Sequence, residues 1–354
     1  MIYLVVFILC VVLLFMEQTK GFDKISFWMK WGAFIFFVLF IGLRYRIGPD
    51  YFSYQEIYQD ISIREDLELF FYGVIAVFNS FKLDFIYFLL FIAVLSIGIK
   101  FYTFNKYSPY FFLSLMIALP ISLLGDMGQI RFSLAIAVLW LSIPYCLERN
   151  LIKFLLVVLA ACIMHNSAIV FVIVYWVTDW KINIYIMLGL WLLCYLISYS
   201  AFTDIFSSPT SDFGVNDLTE KSEQYMDAED FSGRYTISIF NILTKLLVLA
   251  LVYFLSDYRK NTGLYRLLLN IYFIGGCFFF LFSFNQTFGN RFSLYFLSFE
   301  AIAIPGVIYT IKDIKLHYLL IPVFIIKAFY QYYTLIYISY PEMYFPYRNV
   351  LKPI

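Results

Sequence analysis

ISFWMKWGAFIFFVLFIGLRYRIGPDYFSYQEIY, residues 25–58, contains in one stretch both kinds of sequence from which this chain is built. From Ile25 to Leu43 it is apolar apart from Ser26 and Lys30, and a run of roughly 20 such residues is long enough to cross a bilayer as a helix. Then it changes character. Arg44, Arg46, Asp50, Tyr45, Tyr51, Tyr54 and Tyr58 crowd the exit, and Gly48-Pro49 imposes a turn that presents Asp50 near the headgroup plane. Polar groups gathered where a greasy segment leaves the membrane read as a site and not as a linker.

The rest of the chain repeats the first half of that pattern. Of 354 residues, 63% are hydrophobic and 14% charged, and the mean hydropathy is +0.82. Such values exclude an ordinary soluble domain. Lipid offers the backbone no hydrogen-bond partner and the runs are solidly apolar, so the spans are read as α-helices and not barrel strands. Residues 1–16 lack a basic leader and a small-residue cleavage site, and read as the first span. The five cysteines, Cys10, Cys146, Cys162, Cys194 and Cys277, fall inside apolar runs without a CxxC pair, as core thiols do. A net charge of +1 with scattered basic residues gives no sign of nucleic-acid binding.

Apolar segments near 2–16, 25–43, 84–104, 109–124, 128–147, 150–165, 166–178, 182–200, 234–256, 264–284, 290–311 and 316–338 predict an all-α polytopic membrane protein of about twelve spans, eleven to thirteen. The stretch 150–178 is long for one upright helix and short for two, which suits a broken or re-entrant element. Lys20, Lys24, Lys30, Lys100, Lys106, Arg149, Lys153, Lys181, Arg259, Lys260, Arg266, Lys312 and Lys315 then fall on one side, the cytoplasmic one. The polar segments 44–83 and 201–233, the second rich in Asp and Glu, lie on the other side with both termini. Residues 67–81, LELFFYGVIAVFNSF, are apolar but short, and are placed as a helix lying on the outer membrane surface. The whole chain, 1–354, reads as a single integral membrane domain.

On the outer side, arginines recur at span ends: Arg44 and Arg46 after the second segment, Arg131 with Gln129 opening the fifth, Arg234 with Tyr235 after the acidic loop, and Arg291 with Tyr295 opening the eleventh. Guanidinium groups stay charged and match phosphate oxygens bidentately, so their gathering at one leaflet suits a diphosphate or another oxyanion. His165-Asn166-Ser167 breaks an apolar run near the same face. Lys245, Glu300 and Lys327 lie deep in their segments and are expected to pair with one another. There is no HExxH, zinc-spaced Cys/His cluster, GxSxG, P-loop or DxD motif. No cytoplasmic segment is long enough to fold a nucleotide-binding domain.

Together these residues carry a resemblance. An Arg at the end of the second span, a G-x-D-Y-x-x-Y loop (Gly48, Asp50, Tyr51, Tyr54), an Arg-led helix (Arg131, Ala135, Ala137), a His-x-Ser break (His165, Ser167), R-x-x-x-Y-F (Arg291, Tyr295, Phe296) and a terminal FPY (Phe345 to Tyr347) resemble the O-antigen polymerase (Wzy) proteins and the related EpsG-like exopolysaccharide polymerases. Phe132 departs from the pattern, since many relatives carry Gln after the helix-leading Arg. The resemblance implies a C-type membrane glycosyltransferase that joins repeat units carried on undecaprenyl diphosphate at the outer face of the bacterial cytoplasmic membrane. A lipid-linked donor would account for the missing nucleotide domain.

In that reading an acceptor sugar hydroxyl displaces the lipid diphosphate at the anomeric carbon. Asp50 is the first choice of base and His165 the second; Arg44, Arg131, Arg291 and Arg234 hold the diphosphate, so no metal or other cofactor is called for. Tyr51, Tyr54, Gln129 and Tyr295 line the sugar site. Donor and acceptor are both lipid-diphosphate-linked oligosaccharides, membrane lipid surrounds the chain, and a chain-length regulator protein is the partner implied by the family. The alternatives are a polysaccharide flippase or other secondary transporter, for which the deep charges speak, an O-antigen ligase using the same donor, and a membrane acyltransferase using His165.

Overall fold

The computed structural model describes residues 2–19, 21, 23–64, 67–199, 237–256, 262–284 and 286–351. Regular structure among them is helical, with one isolated antiparallel bridge between Arg44 and Asn349. The acidic loop 201–233 lies outside the described residues. The chain divides into two compact units, one made of Met1–Tyr175 with Glu300–Ile354 and the other of Trp176–Phe299.

Four helices, Lys24–Gly42, Phe85–Tyr107, Gly263–Leu281 and Ile314–Ser339, are long and apolar enough to cross a membrane. Shorter apolar helices, among them Ile2–Glu17, Ile130–Trp140, Leu151–Met164, Ile184–Ser198 and Ile239–Phe254, occupy the other apolar segments. This is a multi-pass membrane protein. Several predicted segments come out shorter because the helices break inside them. Residues 128–147 split at Leu141–Ser142, and 150–178 split at His165, beyond which the chain continues as a 3₁₀ turn over Asn166–Ile173.

The first unit begins with α1 (Ile2–Glu17), α2 (Asp23–Gly42), α3 (Tyr51–Gln59), α4 (Leu69–Ser80), α5 (Phe85–Tyr107), α6 (Phe111–Met127), α7 (Ile130–Trp140), α8 (Ile143–Leu147) and α9 (Leu151–Met164). Helices α2 and α5 run antiparallel at close range. Gly42 meets Leu90, Phe34 meets Phe101 with ring centroids 5.7 Å apart, and Lys30 Nζ donates to Asn105 Oδ1 at 2.8 Å. At that last end Glu17 accepts the Phe111 and Phe112 N–H groups at 2.7 and 3.0 Å, and His317 sits beside Tyr110. At the opposite end Tyr3, Phe40, Tyr344 and Tyr347 form an aromatic knot, with Tyr347 stacked on Phe40 at 4.6 Å.

The short helices α3 and α4 lie at this second end. Tyr51, Tyr54, Ile57 and Tyr58 from α3 and Phe71 and Ile75 from α4 pack with Phe88, Leu89 and Ile92 of α5 and Ile130 and Leu134 of α7. Phe71 and Ile75 are four residues apart and so share one helix face. On the other face Leu69, Tyr72 and Val77 are exposed at 70%, 50% and 53%. Twelve residues of helix extend only about 18 Å, well short of the hydrocarbon thickness. Both faces of this helix are thus apolar, one turned inward and one exposed, and its length is too short to span. Its bounds, Leu69–Ser80, fall inside the predicted 67–81.

Deep charges find partners within their own units. Lys327 Nζ donates to Glu300 Oε1 at 2.5 Å in the first, and in the second Lys245 Nζ lies 3.7 Å from the centroid of Phe279. Lys100 departs from its predicted place among loop cations: it is 2% exposed and bonded to Asp126 at 2.6 Å. A lysine in the apolar body of α5 needs that carboxylate, because a buried ammonium ion is costly without an opposite charge.

Candidate functional site

The turn after α2 is fixed from both sides. Gly48 takes φ +101°, which glycine adopts freely, and Arg46 takes φ 54°, a left-handed value that a residue with a Cβ avoids without support. Support comes from the C-terminal segment: the Tyr45 N–H donates to the Arg348 carbonyl, the Gly48 N–H to Met343 and the Val350 N–H to Leu43, each at 3.0 Å. On its other side Gly48 abuts the α6–α7 turn so closely that a Cβ would lie 2.0 Å from the Met127 oxygen. Gly48→Ala is therefore expected to displace this turn. The backbone conformation alone costs about 1–2 kcal/mol for a residue with a Cβ, and the collision adds to it. A lowered thermal midpoint in detergent checks the expectation, and an unchanged midpoint would show that the turn is not seated there.

Arg44 sits beneath this turn, 1% exposed. Its Nη1 donates to the Ile41 carbonyl at 2.8 Å, while Nε and Nη2 have no partner among the described residues. Burial pulls its pKa down to about 10, against the pull of Tyr51, Tyr344, Asp126 and Tyr54, and a guanidinium there remains charged at physiological pH. Asp50 occupies the N-cap position of α3 without capping it through its side chain. Its charge is felt by Tyr54 and Tyr344. Burial pushes the phenols of Tyr51 and Tyr54 up, so both remain neutral hydroxyls.

Tyr54 connects this turn to α7. Arg131, in the first turn of that helix, donates from Nε to Tyr54 Oη at 3.2 Å and lies 5.8 Å from the centroid of its ring. From Nη1 the same guanidinium donates to Glu68 Oε2. The other oxygen of Glu68 meets His165 Nδ1 at 2.8 Å, and Phe132 packs edge-on to the imidazole at 5.9 Å. His165 reaches this position because α9 ends at Met164 and the next residue is extended, at φ −158° and ψ 114°. Side-chain exposures are 5% for Glu68, 12% for Arg131 and 21% for His165.

Glu68 was not singled out from the sequence. Burial alone would raise its pKa, yet the His165 hydrogen bond and the Arg131 charge outweigh that and hold it at about 2. Because the folded value is depressed, the pairing contributes stability above the ordinary carboxylate range. That contribution is lost as pH falls toward about 2. The one available signal was an acidic residue at the start of the short apolar segment 67–81.

The structure thus links Tyr54, Arg131, Glu68 and His165 in one bonded path at one end of the first unit; Asp50 reaches that path only through its charge on Tyr54, and Tyr51 and Arg44 lie alongside. Gln129 stands half-buried at the N-cap position of α7 without a side-chain cap bond. Arg291 and Tyr295 belong to the second unit, half-buried and buried respectively. Arg234 lies outside the described residues.

No curated protein and no solved structure matches the chain. The model of the EpsG family matches residues 27–349, from within α2 to the C-terminal segment that closes over Arg44. That span takes in every site residue named above, and the chain belongs to the EpsG family, at a coarse level a family of polysaccharide polymerases.

Proposed function

We propose that this protein lengthens a surface polysaccharide by joining oligosaccharide repeat units carried on undecaprenyl diphosphate, working at the outer face of a bacterial cytoplasmic membrane. In this reading the apolar helices form about twelve spans of a C-type glycosyltransferase, and α4 lies on the outer surface. One observation carries the reading: in a chain that is 14% charged, a connected polar path from Tyr54 through Arg131 and Glu68 to His165 occupies a single end of one unit. Such a path positions a base next to a cation, the two requirements of a displacement with an anionic leaving group.

The reaction is a single displacement. An acceptor hydroxyl gives its proton to a base, its oxygen bonds to the anomeric carbon, and the old carbon–oxygen bond breaks with its electrons going to the lipid diphosphate. His165 is the base in this reading, because it has an oriented carboxylate partner. Asp50, beside Tyr54, contacts sugar hydroxyls with Tyr51 and Gln129. Arg131 and Arg44 offset the charge of the diphosphate, the role that a divalent ion fills in nucleotide-dependent transferases.

Purified protein in detergent, given a defined lipid-linked repeat unit, is expected to produce a ladder of longer chains with no membrane gradient present. Absence of lengthening under these conditions, with gradient-dependent movement of the same substrate in vesicles, would make the protein a carrier instead. In cells Asp50→Asn is expected to shorten the polysaccharide to a lesser degree than His165→Ala. A single-unit product from Asp50→Asn beside a normal ladder from His165→Ala would reverse the two roles.

A further inference from the structure

Glu68 meets Arg131 and His165 although they lie 63 and 97 positions away in sequence. It stands at the N-cap position of α4 and makes no side-chain bond to that helix, which would have been its local use. An ionised carboxylate has only acceptor oxygens. With Glu68 ionised, His165 Nδ1 must therefore carry the hydrogen, and in the neutral ring Nε2 is left with the lone pair. The opposite tautomer would point an N–H at the incoming hydroxyl.

We infer that Glu68 is a positioning residue for the glycosyl transfer: its carboxylate holds His165 in the Nδ1–H tautomer, leaving Nε2 to accept the proton of the acceptor hydroxyl, and balances the imidazolium that results. This rests on the polymerase reading above. The proton moves from the acceptor oxygen to Nε2 as the new bond to the anomeric carbon forms and the diphosphate departs. Glu68 itself neither gains nor loses a proton. Its second oxygen, on Arg131, keeps the guanidinium and the imidazole in fixed relation, so base and leaving-group cation are set by one side chain. A charge so deeply enclosed has a high cost in an apolar protein, and the Arg131 guanidinium together with the Nδ1–H of His165 is what offsets it.

The chain has two histidines, so His317→Asn leaves one imidazole, and ring-nitrogen labelling reads its tautomer directly. In detergent-solubilised protein at neutral pH the expected signal is a protonated Nδ1 with a bare Nε2. Glu68→Ala in the same background is expected to bring up the Nε2–H form. With the lipid-linked donor, Glu68→Ala is expected to lower turnover ~10²- to 10⁴-fold, the range for loss of a general base. His165→Ala should lose as much, the double variant no more than either, and Glu68→Asp should recover part of the loss.

Should Glu68→Ala fail to fold, Glu68→Gln keeps the side chain's shape and is expected to lower turnover while the protein elutes as wild type does. Turnover of a folded Glu68 variant within a few-fold of wild type, or an unchanged tautomer in Glu68→Ala, would overturn the assignment. If the wild-type protein itself does not lengthen the donor, the polymerase reading is what fails. The tautomer measurement then still decides whether Glu68 sets His165.

Discussion

Arg131→Ala is expected to cut chain lengthening by ~10²- to 10³-fold, the usual loss when one charged donor is taken from a developing anion. The guanidinium stands in the first turn of α7, where the positive end of the helix dipole adds to its own potential. It is held on two sides, by Tyr54 at 3.2 Å and by Glu68, so the charge stays in place as the reaction proceeds. Preorganisation of that kind is what separates a useful cation from a mobile one. Arg131→Lys keeps the charge and loses the fork, so it should recover only part of the rate. In cells the Ala variant should leave surface polysaccharide of a single repeat unit, with the protein still present in the membrane. A full ladder from that strain would remove Arg131 from the reaction, and wild-type rates from Arg131→Lys would reduce its role to that of a generic positive charge.

The same residue shows how much of this site the sequence makes legible. Arg131 and His165 are visible because each interrupts an apolar run, and a polar group in such a run stands out without knowledge of its neighbours. Helices, the break at His165 and the short helix α4 follow from run length and hydropathy, both local properties. What stays hidden is pairing at a distance. Glu68 lies among acidic neighbours ahead of α4, and nothing local marks it as the partner of residues on α7 and after α9. Lys100 has the look of a cytoplasmic anchor near a span end, whereas its carboxylate, Asp126, is 26 positions further on. The cover over Arg44 is equally nonlocal, since the bonds from Tyr45 and Gly48 run to Arg348 and Met343. Neither periodicity nor motif spacing records such closures, which depend on how the helices stack.

Asp126→Ala is expected to destabilise the first unit by about 3–5 kcal/mol, the cost of removing one partner from a buried ion pair. Asp126 is enclosed by donors: Lys100 Nζ at 2.6 Å on one oxygen, and the hydroxyls of Ser96 and Ser133 at 2.6 Å each on the other. Lys100 also donates to Ser133 Oγ at 2.8 Å, so α5, α6 and α7 are tied at one point. Without the carboxylate an ammonium ion 2% exposed keeps only a serine hydroxyl. No water can reach it at low cost, and the thermal midpoint in detergent should fall well below that of wild type. Replacing both charges, Lys100→Met with Asp126→Leu, should restore most of the loss, because an apolar pair of similar volume carries no desolvation penalty. A stable Asp126→Ala protein would mean that the lysine is solvated in the membrane-embedded protein. The double variant tests something further. Asp126 precedes the Met127–Gly128 turn on which Gly48 rests, and its charge is felt by Arg44. If stability returns while chain lengthening does not, the buried pair sets the position of the turn that leads into Arg131; if both return, the pair serves the packing of the three helices alone.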